Sequence, residues 1–170
     1  MTGVQTCALP IFVRHAKSSW DSPLQKDFDR PLNERGHRDA PAMAKRLLDN
    51  KIAIDAFISS PAKRALTTCK YFAEKYGVKE KKIIVIPRLY EASMMDFYNT
   101  VAEADNSFEC IALFSHNPGI TAFANLLTAT QIDNMPTCGV FAVKAETGNW
   151  KAFAASKKTF WFFDYPKLKD

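Results

Sequence analysis

The chain predicts an α/β fold: a three-layer α/β/α sandwich around a mostly parallel central sheet. Three observations lead there. Short continuous apolar runs alternate with amphipathic stretches along the 170 residues. These runs lack the in-out alternation of a half-solvated strand, so both faces should be covered, as in parallel sheets. Finally, no repeat, low-complexity tract or Pro/Gly/Ser-rich linker divides the sequence, and residues 11–170 read as one domain.

In chain order, LPIFV (residues 9–13) is a buried strand ending at Arg14. The residues before it fit poorly. Pro10 cannot donate a ladder hydrogen bond and is awkward inside a central strand. MTGVQTCALPI has no basic n-region and too short an apolar stretch for a secretory signal. Residues 1–10 are therefore expected to be a tail foreign to the domain, from cloning or sequence assembly, with a disordered tail as the plain alternative. Residues 16–32 are a polar loop containing Pro23 and Pro31. Asn33 caps a helix whose inner face is Met43, Leu47 and Leu48, and Pro41 either kinks it or opens a second one. DAFIS (55–59), IIVI (83–86) and CIALFS (110–115) are the second, third and fourth strands. SSPAKRALTTCKYFAEKYG is a helix with a serine cap, a proline in its first turn and Gly77 as its stop. Residues 94–104 form another helix, and NPGITAFANLLT follows the fourth strand as a helix at once. CGVFAVKA and NWKAFAA, joined around Thr147-Gly148, are expected to form a terminal hairpin. The very apolar TFWFFDYP should pack on the sheet or helices, with a dimer or partner surface as the alternative.

Composition narrows the partners. The net charge is +5 and the pI about 9.0. The basic residues are spread out, with no finger, RNP-like or basic-helix pattern, so nucleic acid is not an expected partner. No uninterrupted apolar run is long enough to span a bilayer, so neither is a membrane. Cys7, Cys69, Cys110 and Cys138 are far apart and form no Cys-x-x-Cys pair. Scattered thiols with apolar neighbours fit a reducing, cytoplasmic setting. With three histidines and dispersed acids, neither a metal site nor another cofactor is expected.

In open α/β sheets, ligands bind outside the carboxyl ends of the strands. Arg14 and His15 close the first strand, Arg64 sits in the first turn after the second, and His116 lies between the fourth strand and its helix. The fold reading brings all four to one edge. A phosphoryl group carries about two negative charges. The planar fork of arginine bonds two of its oxygens at once, and a helix N-terminus adds N–H donors. A histidine can accept the group through an unprotonated ring nitrogen, and neighbouring guanidinium groups disfavour imidazolium. Taken singly, each residue has an ordinary reading: His15 a strand-end hydrogen bond, Arg64 a solvated helix position.

Five ordered segments change that balance: VRHAKSSW, DFDRPLNERG (27–36), SSPAKRALTT, LYEAS (89–93) and SHNPGI. With them, the chain from Ile11 onward resembles the histidine phosphatase superfamily, in its small branch of SixA-type phosphohistidine phosphatases with a phosphoglycerate mutase-like fold. Ala16 stands where the superfamily usually has glycine, and residues 1–10 match no family N-terminus. The resemblance implies that His15 is the nucleophile, that Arg14 and Arg64 clamp phosphate, and that His116 donates to a phosphoryl oxygen. For Glu91 it leaves two roles open, leaving-group proton donor or structural salt bridge. Arg30 either points to the pocket rim or pairs with Asp27 or Asp29. Ser18 and Asn117 either support the phosphate or cap local structure. Trp20 and Phe28 border the entrance or anchor the loop, and His37 reads as surface. The implied function is a two-step, metal-independent phosphatase acting through a phosphohistidine enzyme on phosphohistidine in proteins, as in phosphorelays. A small-molecule phosphomonoester phosphatase and a non-catalytic phosphate-binding module are the alternatives.

Overall fold

The computed structural model describes residues 7–168. Its strands are β1 (Cys7–Arg14), β2 (Ala56–Ser59), β3 (Ile84–Val85), β4 (Cys110–Ser115), β5 (Val140–Glu146) and β6 (Lys158–Asp164). Its α-helices are α1 (Glu34–Asp49), α2 (Lys63–Lys75), α3 (Met94–Ala102) and α4 (Gly119–Leu127). The sheet order is β3-β2-β4-β1-β5-β6. The pairings from β3 across to β1 are parallel, and those of β5 with β1 and β6 are antiparallel. This is the mostly parallel α/β sheet the apolar runs predict.

Strand alternation sends side chains to two separate cores. Phe12, Ile111 and Leu113 face Phe97, Val101, Ile120 and Phe123 of α3 and α4. Ile11, Val13, Ala112 and Phe114 face Met43, Leu47 and Phe72 of α1 and α2. The sheet is thus covered on both sides, and each fully buried Phe or Leu contributes about 1.5–3 kcal/mol. Phe12 meets Phe123 edge-on at 5.3 Å between ring centroids, and Phe72 meets Phe114 likewise at 5.1 Å.

Several elements differ from expectation. β1 starts at Cys7, with Leu9 and Pro10 in register with Cys110 and Ile111 of β4. The boundary expected between residues 10 and 11 therefore falls inside β1, while residues 1–6 lie outside the described residues. The ladder of β1 to β5 pairs Cys7 and Ala8, then resumes at Ile11, so the proline sits where that ladder is interrupted. α1 runs unbroken through Pro41, and Leu48 is only half-buried. α2 begins at Lys63 after Ala62, so Pro61 precedes its first turn and no side chain caps it. The Ser60 hydroxyl instead accepts from the Ala62 N–H at 3.2 Å. β3 is an exposed two-residue edge strand.

The largest correction concerns the terminal hairpin. NWKAFAA is not a strand: residues Trp150–Ala152 form a 3₁₀ turn, burying Trp150 and Phe153 together. Their i,i+3 spacing eclipses them on one side of such a turn. The strand paired with β5 is β6, which carries the TFWFFD run. A register shift opposite Ala142 and Val143 skips Trp161, which puts Phe160 and Phe163 on one face and Trp161 and Phe162 on the other. The apolar tail is thus an edge strand of the sheet.

One contact ties α1 to the segment after β1. Asn33 caps α1 by accepting from the Gly36 N–H at 2.9 Å, and its own N–H donates to the Lys17 carbonyl at 3.0 Å. A Cβ on Gly36 would lie 2.2 Å from that same carbonyl oxygen, a contact only backbone movement relieves. Gly36→Ala is therefore expected to destabilise the protein by about 1–3 kcal/mol, read as a lower urea midpoint at unchanged slope.

Candidate active site

Three adjacent strands end together. β1 and β4 pair through Arg14 and Ser115, and β4 and β2 through Phe114 and Ser59. The chain leaves these ends held by backbone bonds, His15 N–H to the Ser115 carbonyl at 3.1 Å and Ser60 N–H to the Phe114 carbonyl at 2.9 Å. His15, Ser60 and His116 consequently emerge side by side. The two histidines open into a cavity of about 630 Å³ whose lining also includes Arg14, Arg30, Arg64, Asp27, Tyr90 and Glu91, while Ser60 is fully buried beside them.

The two imidazoles lie 5.2 Å apart between centroids, both buried. His15 Nδ1 is 2.7 Å from the Ala16 carbonyl oxygen, which can only accept, so the proton sits on Nδ1 and the lone pair on Nε2. Arg64 Nε donates to that Nε2 at 3.3 Å. Burial pushes the His15 pKa down to about 3, with the His116, Arg64 and Arg14 charges adding to it and the Ala16 bond opposing. His116 is also lowered to about 3, by burial first, then by Arg64, Arg14 and Arg30, with Asp27 opposing. Both rings are therefore neutral at neutral pH. His116 Nε2 pairs with the Ser60 hydroxyl at 2.8 Å, and its Nδ1 has no partner among the described residues.

The arginines are held from outside. Arg14 Nη1 donates to the Met135 carbonyl at 2.8 Å, while its buried Nε has no partner among the described residues. Arg64 Nη1 and Nη2 donate to the Asp27 carbonyl and carboxylate at 2.7 and 3.1 Å. Thr68, one turn along α2, accepts from the Ala16 N–H at 3.0 Å and donates to the Arg64 carbonyl at 2.7 Å. That hydroxyl fixes the histidine loop to the helix carrying Arg64.

The remaining predicted residues divide. Arg30 does both things proposed for it: it borders the cavity and pairs with Asp27, with its guanidinium 3.6 Å from the Trp20 ring centroid. Ser18 lines the cavity, and its hydroxyl accepts from Arg30 Nη1 at 2.5 Å. Asn117 borders the cavity, but its amide donates to Asn134 and Met135 and its oxygen accepts from Thr121, so its side chain braces α4. Glu91 borders the cavity in a left-handed conformation (φ 57°), exposed and without an ion pair among the described residues. Of the two aromatics expected at the entrance, Trp20 lines the cavity, whereas Phe28 is outside the lining and packs edge-on against Tyr90. His37 is exposed and bonded to the Tyr71 hydroxyl.

Sequence reading singled out neither Asp27 nor Tyr90 for the cavity, nor Ser60 as the partner of His116. All three lie within the recognised segments, so the signal was positional. What it lacked was direction, since an acid in a loop and a tyrosine after a strand have many ordinary uses.

The geometry can therefore present an unprotonated ring nitrogen to an anion inside a ring of guanidinium groups. The family model of the histidine phosphatase superfamily (branch 1) matches residues 11–109. An uncharacterized chloroplastic protein of Arabidopsis thaliana is 31% identical over 160 residues, covering 89% of this chain and 73% of that protein. Among solved structures, the protein histidine phosphatase SixA complexed with tungstate superposes with a TM-score of 0.77 at 21% identity, covering 93% of this chain and 97% of that one. A mycobacterial glucosyl-3-phosphoglycerate phosphatase does so with a TM-score of 0.67 at 16% identity, over 91% and 97% of the two chains. With the family model spanning more than half its length, this chain belongs to the histidine phosphatase superfamily and is a phosphatase.

Proposed function

We propose that this phosphatase works without metal through a phosphohistidine formed on His15, and that it acts on phosphohistidine in proteins. One observation carries the mechanism: the Nδ1–H of His15 is committed to the Ala16 carbonyl while Nε2 keeps its lone pair beside Arg64. In the first step Nε2 attacks phosphorus and the bond from phosphorus to the substrate imidazole breaks. The substrate imidazole takes a proton on its far ring nitrogen from water or from Glu91 at the cavity edge, so that it keeps the electron pair of the broken bond and departs as a neutral ring. The positive charge that develops on the His15 ring is stabilised by the Ala16 carbonyl. In the second step water attacks phosphorus, the bond to Nε2 breaks, and inorganic phosphate leaves.

Arg14, Arg64 and His116 hold the phosphoryl oxygens through charge-assisted and neutral hydrogen bonds. Arg64 Nε–H rests on Nε2 in the free site and is released to a phosphoryl oxygen as the lone pair attacks. Ser18 and Arg30 brace the rim, and Asn117 braces the helix behind it.

A protein substrate is supported by the fold shared with SixA, described as a protein histidine phosphatase, and by the exposed Trp20 at the cavity mouth. The buried free thiols of Cys69, Cys110 and Cys138 suit a reducing compartment, and we place the activity in the cytoplasm. The second reading, a small-molecule phosphomonoester substrate, is favoured by the fold shared with glucosyl-3-phosphoglycerate phosphatase. A purely phosphate-binding module would need the arginines but not a buried neutral nucleophile.

The protein should hydrolyse an aryl phosphate in EDTA, vanadate should inhibit it, and His15→Ala should abolish turnover. Mass spectrometry under non-acidic conditions should find the trapped phosphate on His15. Full activity of His15→Ala, or an absolute need for added metal, would refute the mechanism.

The neutral imidazoles also set a pH dependence. Both folded pKa values lie near 3, below the ordinary 6.5, so the unfolded chain takes up protons first as pH falls. Stability from this source is complete above about pH 6.5 and is lost on acidification towards pH 3. His116→Asn removes one such site. Between about pH 5.5 and pH 4 the unfolding free energy of that variant should depend on pH less steeply, by up to about 1.4 kcal/mol per pH unit. Denaturant titrations at several pH values measure this, and identical slopes for the two proteins would contradict it.

A further inference from the structure

We propose that Asp27 is a positioning residue for the phosphate clamp, holding the Arg64 guanidinium so that its free N–H groups meet the phosphoryl oxygens; the inference rests on the phosphatase reading above. Arginine has five N–H donors in a rigid plane. Arg64 commits three of them: Nη1 to the Asp27 carbonyl at 2.7 Å, Nη2 to the Asp27 carboxylate at 3.1 Å, and Nε to His15 Nε2 at 3.3 Å. Two N–H groups remain. Because both terminal nitrogens are tied to one residue, the plane of the guanidinium is set by Asp27 rather than by the long Arg64 stem.

The carboxylate is itself fixed from three elements. Its Oδ2 also accepts from the Tyr90 hydroxyl at 2.7 Å, and its Oδ1 accepts from Arg30 Nε at 3.3 Å. Asp27 thus joins the long loop, α2 and the segment after β3 across one side of the cavity. Tyr90 continues the chain of contacts, its ring lying edge-on to His116 at 5.5 Å. Burial alone would raise the Asp27 pKa, but the Tyr90 bond and the Arg64 and Arg30 contacts hold it at about 2. The group is ionised at any working pH, which suits a fixed counter-charge and rules out a proton donor.

Two features separate this role from an ordinary ion pair. The Asp27 side chain is 50% exposed while that of Arg64 is 7% exposed, so the pair adds little stability but confines a buried guanidinium. The sign of the effect on anion binding is also diagnostic. Removing a negative charge from an anion site should tighten anion binding on Coulomb's law alone. Loss of positioning should weaken it.

The test is direct vanadate binding by calorimetry, which inactive variants still report. Asp27→Ala should weaken vanadate binding about tenfold, the equivalent of one oriented hydrogen bond, with little change in melting temperature. In Arg64→Ala, or in Arg64→Lys if the alanine variant does not fold, adding Asp27→Ala should cost nothing further, because the group it positions is gone. Unchanged or tighter binding by Asp27→Ala, or the same tenfold loss in the Arg64 background, would overturn the positioning role and leave the phosphatase reading standing. A wild-type protein that does not bind vanadate would overturn both.

Discussion

Two imidazole rings with centroids 5.2 Å apart share a cavity with three arginines, and they can do so only while both stay uncharged. Two unit charges about 5 Å apart repel by roughly 3 kcal/mol at an effective dielectric constant near 20. Burial adds its own penalty on either imidazolium. The surrounding structure solves the problem by supplying acceptors and donors of fixed sense. The Ala16 carbonyl fixes the proton of His15 on Nδ1, and Arg64 offers an N–H to its Nε2, so the ring meets its hydrogen-bonding needs without a second proton. A neutral, oriented imidazole is therefore a property of the resting fold rather than something a ligand must induce.

That orientation depends on the order of strands. Because β4 lies between β1 and β2, residues that are 101 positions apart in the chain, His15 and His116, leave neighbouring strand ends. The two cores on either face of the sheet hold those ends in register, and Thr68 adds a cross-link between the His15 loop and the Arg64 turn. Core packing and cavity chemistry meet at this hydroxyl. It has one acceptor role towards Ala16 and one donor role towards Arg64, and both are filled.

Much of this was legible in the sequence, and the reason is periodicity. Runs such as CIALFS announce strands covered on both faces, and the strand-end rule then collects Arg14, His15, Arg64 and His116 without any contact being known. What stayed hidden was local. The apolar content of NWKAFAA and that of TFWFFD look alike as composition, and only the i,i+3 pairing of Trp150 with Phe153 separates a 3₁₀ turn from a strand. Pro10 argued against a central strand, yet the parallel register with β4 holds through it while the ladder to β5 is interrupted. Asp27 was visible only as a partner for Arg30. Its hold on Arg64, from 37 positions away, depends on how a loop folds back, which no short-range pattern encodes.

The acids of the cavity bear on which phosphorylated group fits. Asp27 is held at about 2 and is occupied by Tyr90 and two arginines, so it has no proton to give. Glu91 is the other acid in the lining, and it is exposed at the mouth rather than fixed beside the imidazoles. A leaving alkoxide needs a well-placed acid, because the parent alcohol is a far weaker acid than an imidazolium. An imidazole protonated on its far ring nitrogen departs as a neutral ring, the conjugate base of an acid of ordinary pKa near 6.5, and needs no acid at the breaking bond. A cavity rich in fixed cations and poor in fixed acids thus supports the proposed phosphohistidine substrate over an alkyl ester. The same arrangement leaves activated aryl esters within reach, since their leaving groups also need little protonation.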